Sequence, residues 1–201
     1  ALRLTTQPEV SGRLYAFSCY RATEYIVLLA MAEELRHCHP ELLFAVEAQW
    51  RQEAIASGRF HDTFLHELGS NELPLPIRYY VPGDRVWFRN PDEVSSDASG
   101  YEGSWTMYLG RGLFANMWKR NQPFTLLDKC VEIFHWRDAV YRDAEGEPRI
   151  DEAIVEREVN ATRADAERAA VICERMLRLR DLKGVYGDGG CIDRTREGPR
   201  W

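Results

Sequence analysis

The chain has 201 residues, a formal net charge of -6 and 29% charged side chains. This length suits one medium-sized domain with a substantial core, and the composition is that of a folded soluble protein rather than a disordered one. The negative charge argues against nucleic-acid binding, which needs concentrated positive charge. No apolar run reaches the length of a membrane span, and no signal peptide is visible. The chain starts at Ala1 rather than at a methionine, as a processed or excised domain would.

A cysteine begins the first long helix that the sequence predicts. Residues 12–18 form a short strand-like run, and from Cys19 to Ala30 apolar residues recur at helical spacing. A thiol at a helix N-terminus faces unpaired amides and the positive end of the helix dipole, which favour the thiolate. Papain-like cysteine enzymes place their nucleophile in this way. Free cysteines are also common as small buried hydrophobic residues, so both roles stay open for Cys19.

Two further helical stretches precede the middle of the chain. The first follows Pro40 and covers residues 41–57, where apolar side chains keep helical spacing. The second is a shorter amphipathic piece over residues 60–68. Residues 69–76 are rich in turn formers and therefore predict a connection into a different type of structure.

The middle third of the chain predicts a small antiparallel sheet of three or four strands. Residues 77–81 and 85–89 flank a Pro-Gly-Asp turn, and residues 105–109 and 113–119 flank a Gly-Arg-Gly hairpin turn. A polar loop over residues 90–103 joins the two pairs.

The last third returns to helix. Thr125 followed by Asp128 has the form of an N-cap with an acidic residue at N3, which predicts a helix ending near residue 136. The alternative is a strand, because Val131, Ile133 and His135 alternate with charged or aromatic residues. The capping signal favours the helix. The remaining predictions are helices over 151–159 and 164–183 and an irregular tail over 184–201.

The five cysteines are an odd number, widely scattered and without a Cys-x-x-Cys pair. This pattern favours a reducing compartment such as the cytoplasm over a disulfide framework. One disulfide through Cys191 in the glycine-rich tail stays open. Although His37, Cys38 and His39 are good zinc-ligand types, adjacent residues at a helix end cannot all face one ion, so no metal site is predicted.

Three segments carry motifs in a characteristic order. They are residues 15–23 (YAFSCYRAT), 80–92 (YVPGDRVWFRNPD) and 101–114 (YEGSWTMYLGRGLF). Together they resemble the small bacterial spore-coat type of protein-glutamine gamma-glutamyltransferase (transglutaminase). The second segment is the most specific, and the likeness covers about residues 12–118.

The resemblance implies an α+β fold with a papain-like (NlpC/P60-like) core in a single domain over residues 1–201. An N-terminal helix would carry Cys19, followed by a small antiparallel sheet and C-terminal helices. The implied reaction is acyl transfer from a glutamine side chain of a protein substrate, through a thioester on Cys19, to a lysine amine or to water. No cofactor is implied.

The resemblance also implies polar partners for the thiol, and here the chain departs from the family. The family has a glutamate before the cysteine, an acid at the start of the second strand and a histidine on the next strand. This chain has Ser18, Ser104 and Met117 at those positions. One hypothesis is that Glu102 and His135 rebuilt the site as its acid and its base. The other is that the chain keeps the scaffold without the activity.

Ordinary structural roles stay open for both rebuilt partners. His135 lies among large apolar residues, where a histidine is commonly a packing residue, and Glu102 lies in a loop where a carboxylate is commonly solvated. Two alternative functions follow from the same core. One is a cysteine hydrolase or amide-forming acyltransferase that acts on a small molecule, and the other is a catalytically silent binding protein.

Overall fold

The computed structural model describes residues 1–52, 56–69, 75–178, 190–192 and 196–199. The fold is α+β, with about half of the residues in helices and a small antiparallel sheet, as predicted. The chain divides into two compact units. The first unit is Ala1–Glu67 with Glu197–Trp201, and the second unit is Leu68–Arg196. That the two form one domain stays a prediction.

The first unit is built mainly of helices. They are α1 (Leu2–Thr6), α2 (Pro8–Ser11), α3 (Cys19–Cys38), α4 (Pro40–Gln52) and α5 (Ser57–Phe64), and the chain continues directly into strand β1 (Leu65–Leu68). Helix α3 begins at Cys19 as predicted. The strand predicted just before it is wrong, because residues 12–16 are exposed and have no buried face that would select an extended pairing.

Two other predictions in the first unit are confirmed in part. The helix expected from residue 41 is α4, and residues 53–55 lie outside the described part of the chain. Pro40 is its first residue, where the missing N–H costs no intrahelical bond. The amphipathic stretch over residues 60–68 is helical only to Phe64 and then becomes β1.

The sheet of the second unit is an antiparallel meander. Its strands are β2 (Arg85–Arg89), β3 (Gly103–Gly110), β4 (Leu113–Phe114) and β5 (Phe124–Thr125). The Gly-Arg-Gly turn between β3 and β4 is confirmed, with Arg111 at a φ of 54°. The predicted loop before β3 contains a short helix, α6 (Glu93–Ser96).

The strand predicted over residues 77–81 is wrong. Ile77–Tyr79 forms a 3-10 turn, in which the Tyr79 amide donates to the Pro76 carbonyl over 2.9 Å. The ring of Pro76 fixes its φ at -61°, which suits the residue before such a turn. Because proline is already restricted in the unfolded chain, ordering it costs little backbone entropy.

Helices cover one side of this sheet. They are α7 (Leu126–Trp136), α8 (Glu152–Arg163) and α9 (Ala166–Met176), with a hairpin of β6 (Val140–Arg142) and β7 (Pro148–Ile150) between α7 and α8. The capping box that predicted α7 is present: Thr125 accepts from the Asp128 amide, and the Asp128 side chain accepts from the Thr125 amide. The strand alternative for these residues is therefore wrong. In the tail, which the sequence predicted to be irregular over residues 184–201, the described residues 196–199 instead form strand β8 (Arg196–Pro199), which lies beside β1.

The core of the second unit lies between the sheet and α7. It is formed by Val86, Phe88, Phe114, Phe124, Cys130, Val131, Ile133 and Trp136. Each large apolar side chain buried here stabilises the fold by about 1.5–3 kcal/mol. Residues 190–192 complete this core, because Arg89 donates its amide to the Cys191 carbonyl and Cys191 donates to the Met176 carbonyl, both over 2.7 Å.

Among the described helices, none combines the length and apolarity that a bilayer crossing requires.

Candidate active site

Cys19 is the first residue of a 20-residue helix and is half-buried. Ser18 is its N-cap, with extended backbone and a hydroxyl that accepts from the Arg21 amide. The first backbone bond of the helix joins the Ala22 amide to the Ser18 carbonyl over 2.9 Å. The amide of Cys19 consequently lies in the first turn, where amides have no acceptor within the helix and point toward the space before it. This geometry suits both a thiolate and an oxyanion beside it.

A polar cluster that the sequence did not predict includes Tyr20, the residue that follows Cys19 in α3. The ring of His61 has its Nε2 3.0 Å from the Tyr20 hydroxyl and 3.6 Å from Glu24 Oε1. Its Nδ1 is 3.1 Å from Glu197 Oε1. Glu24 is 1% exposed and accepts from the Arg21 guanidinium over 2.8 Å. The members come from α3, α5 and β8, so no spacing in the sequence could have indicated this arrangement.

The cluster and the thiol occupy different faces of α3. Tyr20 and Glu24 are four residues apart and share one face. Cys19 precedes Tyr20 by one residue, so its side chain leaves the helix about 100° around the axis from Tyr20. Among the described residues of the first unit, none hydrogen-bonds to Cys19 Sγ.

His135, the predicted base, is fully buried near the end of α7. Its Nδ1 lies 2.6 Å from Asp138 Oδ2, and its Nε2 lies 2.8 Å from the Thr162 hydroxyl. Because a carboxylate only accepts, the Nδ1 hydrogen donates to Asp138; when Nε2 carries no hydrogen, it accepts from the Thr162 hydroxyl. Both nitrogens of His135 are thus engaged inside the second unit.

Glu102, the predicted acid, is an exposed residue immediately before β3. Its Oε1 accepts from the Gly100 amide over 3.2 Å, and its backbone carbonyl accepts from the Asn90 amide over 3.0 Å. The carboxylate thus stabilises its own loop. Within the second unit, no hydrogen bond or ion pair joins Glu102 to His135 in the part that the structure describes.

Ser18, Ser104 and Met117 are the residues that the sequence resemblance places at the family's polar positions. Ser18 caps α3, Ser104 is the second residue of β3 and is 7% exposed, and Met117 follows β4. Ser104 pairs with Phe88 in the sheet register. None of these three side chains carries a carboxylate or an imidazole, the groups that usually act as general acid or base.

Aromatic side chains occupy the sheet face opposite to the α7 core. Trp87 and Trp105 have ring centroids 5.1 Å apart, and the buried Arg85 guanidinium lies 3.7 Å above the Trp105 ring. Gly103 allows this packing, since a Cβ there would overlap the Trp87 ring and the Phe88 carbonyl oxygen. Trp118, which follows β4, is by contrast 69% exposed.

An α+β fold with a small antiparallel sheet and a cysteine at the start of a long helix is consistent with a transglutaminase-like core. The family model of protein-glutamine gamma-glutamyltransferase matches residues 6–183. The chain belongs to this family, as the three sequence motifs predicted, and the match extends well beyond the region that carries those motifs. No curated protein and no solved structure matches the chain.

Proposed function

We propose that this protein is a cysteine-dependent acyltransferase that acts on glutamine side-chain amides of protein substrates. The observation that carries the proposal is the position of Cys19 at the N-terminus of α3, in a chain that belongs to the protein-glutamine gamma-glutamyltransferase family. The proposed core is papain-like, with the thiol on the first long helix and the sheet following it.

In the proposed reaction the Cys19 thiolate attacks the carboxamide carbon of a glutamine side chain. The oxygen of the tetrahedral intermediate accepts hydrogen bonds from amides at the start of α3. The C–N bond then breaks, and ammonia leaves after taking a proton from the acid form of the base. A neutral lysine amine then attacks the thioester and gives a proton to the base. The new C–N bond forms, the C–S bond breaks, and the thiolate returns. When water attacks instead, the product is a glutamate side chain.

His135 and Glu102 remain the base and the acid proposed from the sequence. In support of His135, a carboxylate already orients its Nδ1, which is the arrangement that a general base requires. That carboxylate belongs to Asp138 rather than to Glu102. To accept a proton from a thiol, His135 has to lose the hydrogen bond from Thr162.

His61 is a second candidate for the base. It has the same pattern of contacts, with Glu197 at Nδ1 and the Tyr20 hydroxyl at Nε2, and it lies in the unit that carries Cys19. Because Cys19 and Tyr20 lie on different faces of α3, His61 has to leave the Tyr20 hydroxyl before it can take a proton from the thiol. Its side chain is 26% exposed, whereas that of His135 is fully buried. A general base contributes about 10²–10⁴-fold, so substitution of the true base by glutamine lowers kcat by that factor. The comparison of His61→Gln with His135→Gln therefore assigns the role.

A catalytically silent binding protein is the second candidate function. The observation that favours it is that Ser18, Ser104 and Met117 occupy the positions proposed for the three family partners. Ser18 is the N-cap of α3, and Ser104 is a buried residue of β3. In that case the framework would still bind a glutamine-containing protein segment but would release no ammonia.

The two ends of α3 provide a matched test of the nucleophile. Cys38 is the last residue of the same helix, where the dipole disfavours a thiolate, and its thiol donates to the Glu34 carbonyl over 3.1 Å. We expect iodoacetamide to alkylate Cys19 faster than Cys38, although Cys38 is the more exposed thiol. Equal rates, or faster modification of Cys38, would contradict activation at the helix start.

Activity is measured as ammonia release and as incorporation of a fluorescent alkylamine into an unfolded, glutamine-rich protein. We expect Cys19→Ser to lower both rates by more than about 10³-fold, while Cys38→Ser leaves them unchanged. Activity retained by Cys19→Ser would refute the proposal. If Cys19 of the wild-type protein reacts with iodoacetamide as expected but the protein modifies no protein substrate, the result would point to a small-molecule amide as the substrate instead.

A further inference from the structure

Three cysteines that play no part in the proposed reaction meet in the second unit. Cys130 on α7 and Cys191 in the segment 190–192 are both fully buried, with their Sγ atoms 3.7 Å apart. Cys173 on α9 is half-buried and lies close enough to Cys130 for each thiol to influence the pKa of the other. The three thiols therefore cluster where three separate parts of the second unit meet.

The outer thiol of this chain reaches a cleft. Cys173 lines a cavity of about 530 Å³ between α7 and α9, whose other walls are largely apolar, formed by Leu127, Val131, Ala166, Ala169 and Ala170. Charged groups from each packed helix also line it: Asp128 of α7, Arg163 of α8 and Glu174 of α9. Because Cys130 and Cys191 have no exposed surface, Cys173 is the member of the cluster that a small molecule in the cleft can touch.

We propose that Cys173, Cys130 and Cys191 form a thiol relay that converts a small external disulfide into a buried Cys130–Cys191 disulfide. The Cys173 thiolate attacks the small disulfide RSSR, which forms Cys173–S–S–R and releases the first RSH. Cys130 then attacks Cys173 Sγ and releases the second RSH. Finally, Cys191 attacks Cys130 Sγ and returns Cys173 to the thiol form. In sum, RSSR is reduced to two RSH and two protein thiols are oxidised to one disulfide.

The relay operates slowly at neutral pH because its thiols are held protonated. Burial, with smaller contributions from Cys130, raises the pKa of Cys173 to about 11. The hydrogen bond with Cys191 and then burial raise the pKa of Cys130 further. The thiolate is the attacking species, so the relay speeds up as the pH rises toward the pKa of Cys173.

The disulfide would join the segment 190–192 covalently to α7. The Cys191 backbone already bonds to Arg89 of β2 and to Met176 at the end of α9, and Cys130 lies in the middle of α7. Closing a loop between residues 130 and 191 constrains the unfolded chain. We expect oxidation to raise Tm by roughly 4–16 °C, from the usual effect of a native disulfide on a protein of this size.

The test uses the full chain with Cys19→Ser and Cys38→Ser, so that only the three relay thiols remain and the outcome does not depend on the proposed acyltransferase activity. The folded protein is incubated with oxidised glutathione at pH 8, and linked peptides are identified by mass spectrometry. We expect a Cys130–Cys191 linked peptide, a loss of two titratable thiols, and a rise in Tm that dithiothreitol reverses.

The role of Cys173 is tested by Cys173→Ala and, in case that variant folds poorly, by blocking Cys173 in the folded protein with N-ethylmaleimide. Either change is expected to slow formation of the buried disulfide more than tenfold. A wild-type rate after either change would overturn the relay. Three thiols that stay reduced, or a product linked only through Cys173, would overturn the buried disulfide.

Discussion

Removal of one hydroxyl from Thr162 tests whether His135 is held as a structural residue. Both side chains are fully buried, and the hydroxyl lies 2.8 Å from His135 Nε2. Thr162→Val keeps the shape of the side chain and replaces the hydroxyl by a methyl group. Since Nδ1 is already bound to Asp138, the substitution leaves Nε2 in the core without a partner.

An unsatisfied buried polar group costs about 1–3 kcal/mol in the free energy of unfolding. For a protein of this size, that loss corresponds to a decrease of roughly 2–12 °C in Tm. The expected result for Thr162→Val is therefore a shift of the urea midpoint to lower concentration, with no change in the slope m.

Urea unfolding followed by circular dichroism measures this loss, with Thr63→Val as the control. Thr63 is exposed on α5, and the same chemical change there is expected to alter the free energy of unfolding by less than about 0.5 kcal/mol. If Thr162→Val also stays within about 0.5 kcal/mol of the wild type, the hydrogen bond does not hold His135. The histidine would then be available to act as a base.

Three further predictions concern the helix cap and the packing of the sheet. Thr125→Ala removes the N-cap of α7 and is expected to lower the free energy of unfolding by about 0.5–2 kcal/mol, as measured by urea unfolding. Burial raises the pKa of Asp128, but hydrogen bonds from Thr125 and the charge of Arg163 outweigh this and hold it below the usual carboxyl value. The stability that ionised Asp128 contributes is fully present above the unfolded pKa and is lost as the pH falls through the lowered folded pKa. Below about pH 4 the Tm of the wild type should therefore fall more steeply with pH than the Tm of Asp128→Asn. An equal slope would contradict this assignment. Gly103→Ala is expected to cost about 1–3 kcal/mol more than Gly100→Ala, because both have positive φ but only the Cβ at position 103 meets the Trp87 ring. Equal urea midpoints for the two variants would contradict the close packing.

The sequence correctly predicted those elements whose ends are marked by a capping pair or by turn-forming residues. The capping pair of Thr125 and Asp128 identified α7 correctly against an alternating pattern that suggested a strand, because the cap satisfies backbone amides directly. The Gly-Arg-Gly turn likewise predicted the hairpin of β3 and β4. Over residues 77–81 the prediction was wrong, because aromatic and branched residues suggested a strand where Pro76 instead begins a 3-10 turn.

Contacts between distant residues were beyond sequence reasoning. The distribution of cysteines predicted no framework and left one disulfide through Cys191 open, but nothing in their spacing indicated that Cys130, Cys173 and Cys191 would meet. The partners of His61 and His135 likewise come from other helices and strands. Motifs identified the family and the candidate nucleophile, whereas the hydrogen bonds that decide whether a histidine can act as a base exist only in the folded chain.

The pairing of Ser104 with Phe88 limits which side chains position 104 can accept. The two residues share a face of the sheet, and Phe88 is fully buried. A carboxylate placed at position 104, where the serine is only 7% exposed, would lose most of its hydration, and desolvation penalises its charge. An acidic residue is therefore unfavourable at this position unless a second substitution supplies a partner for its charge.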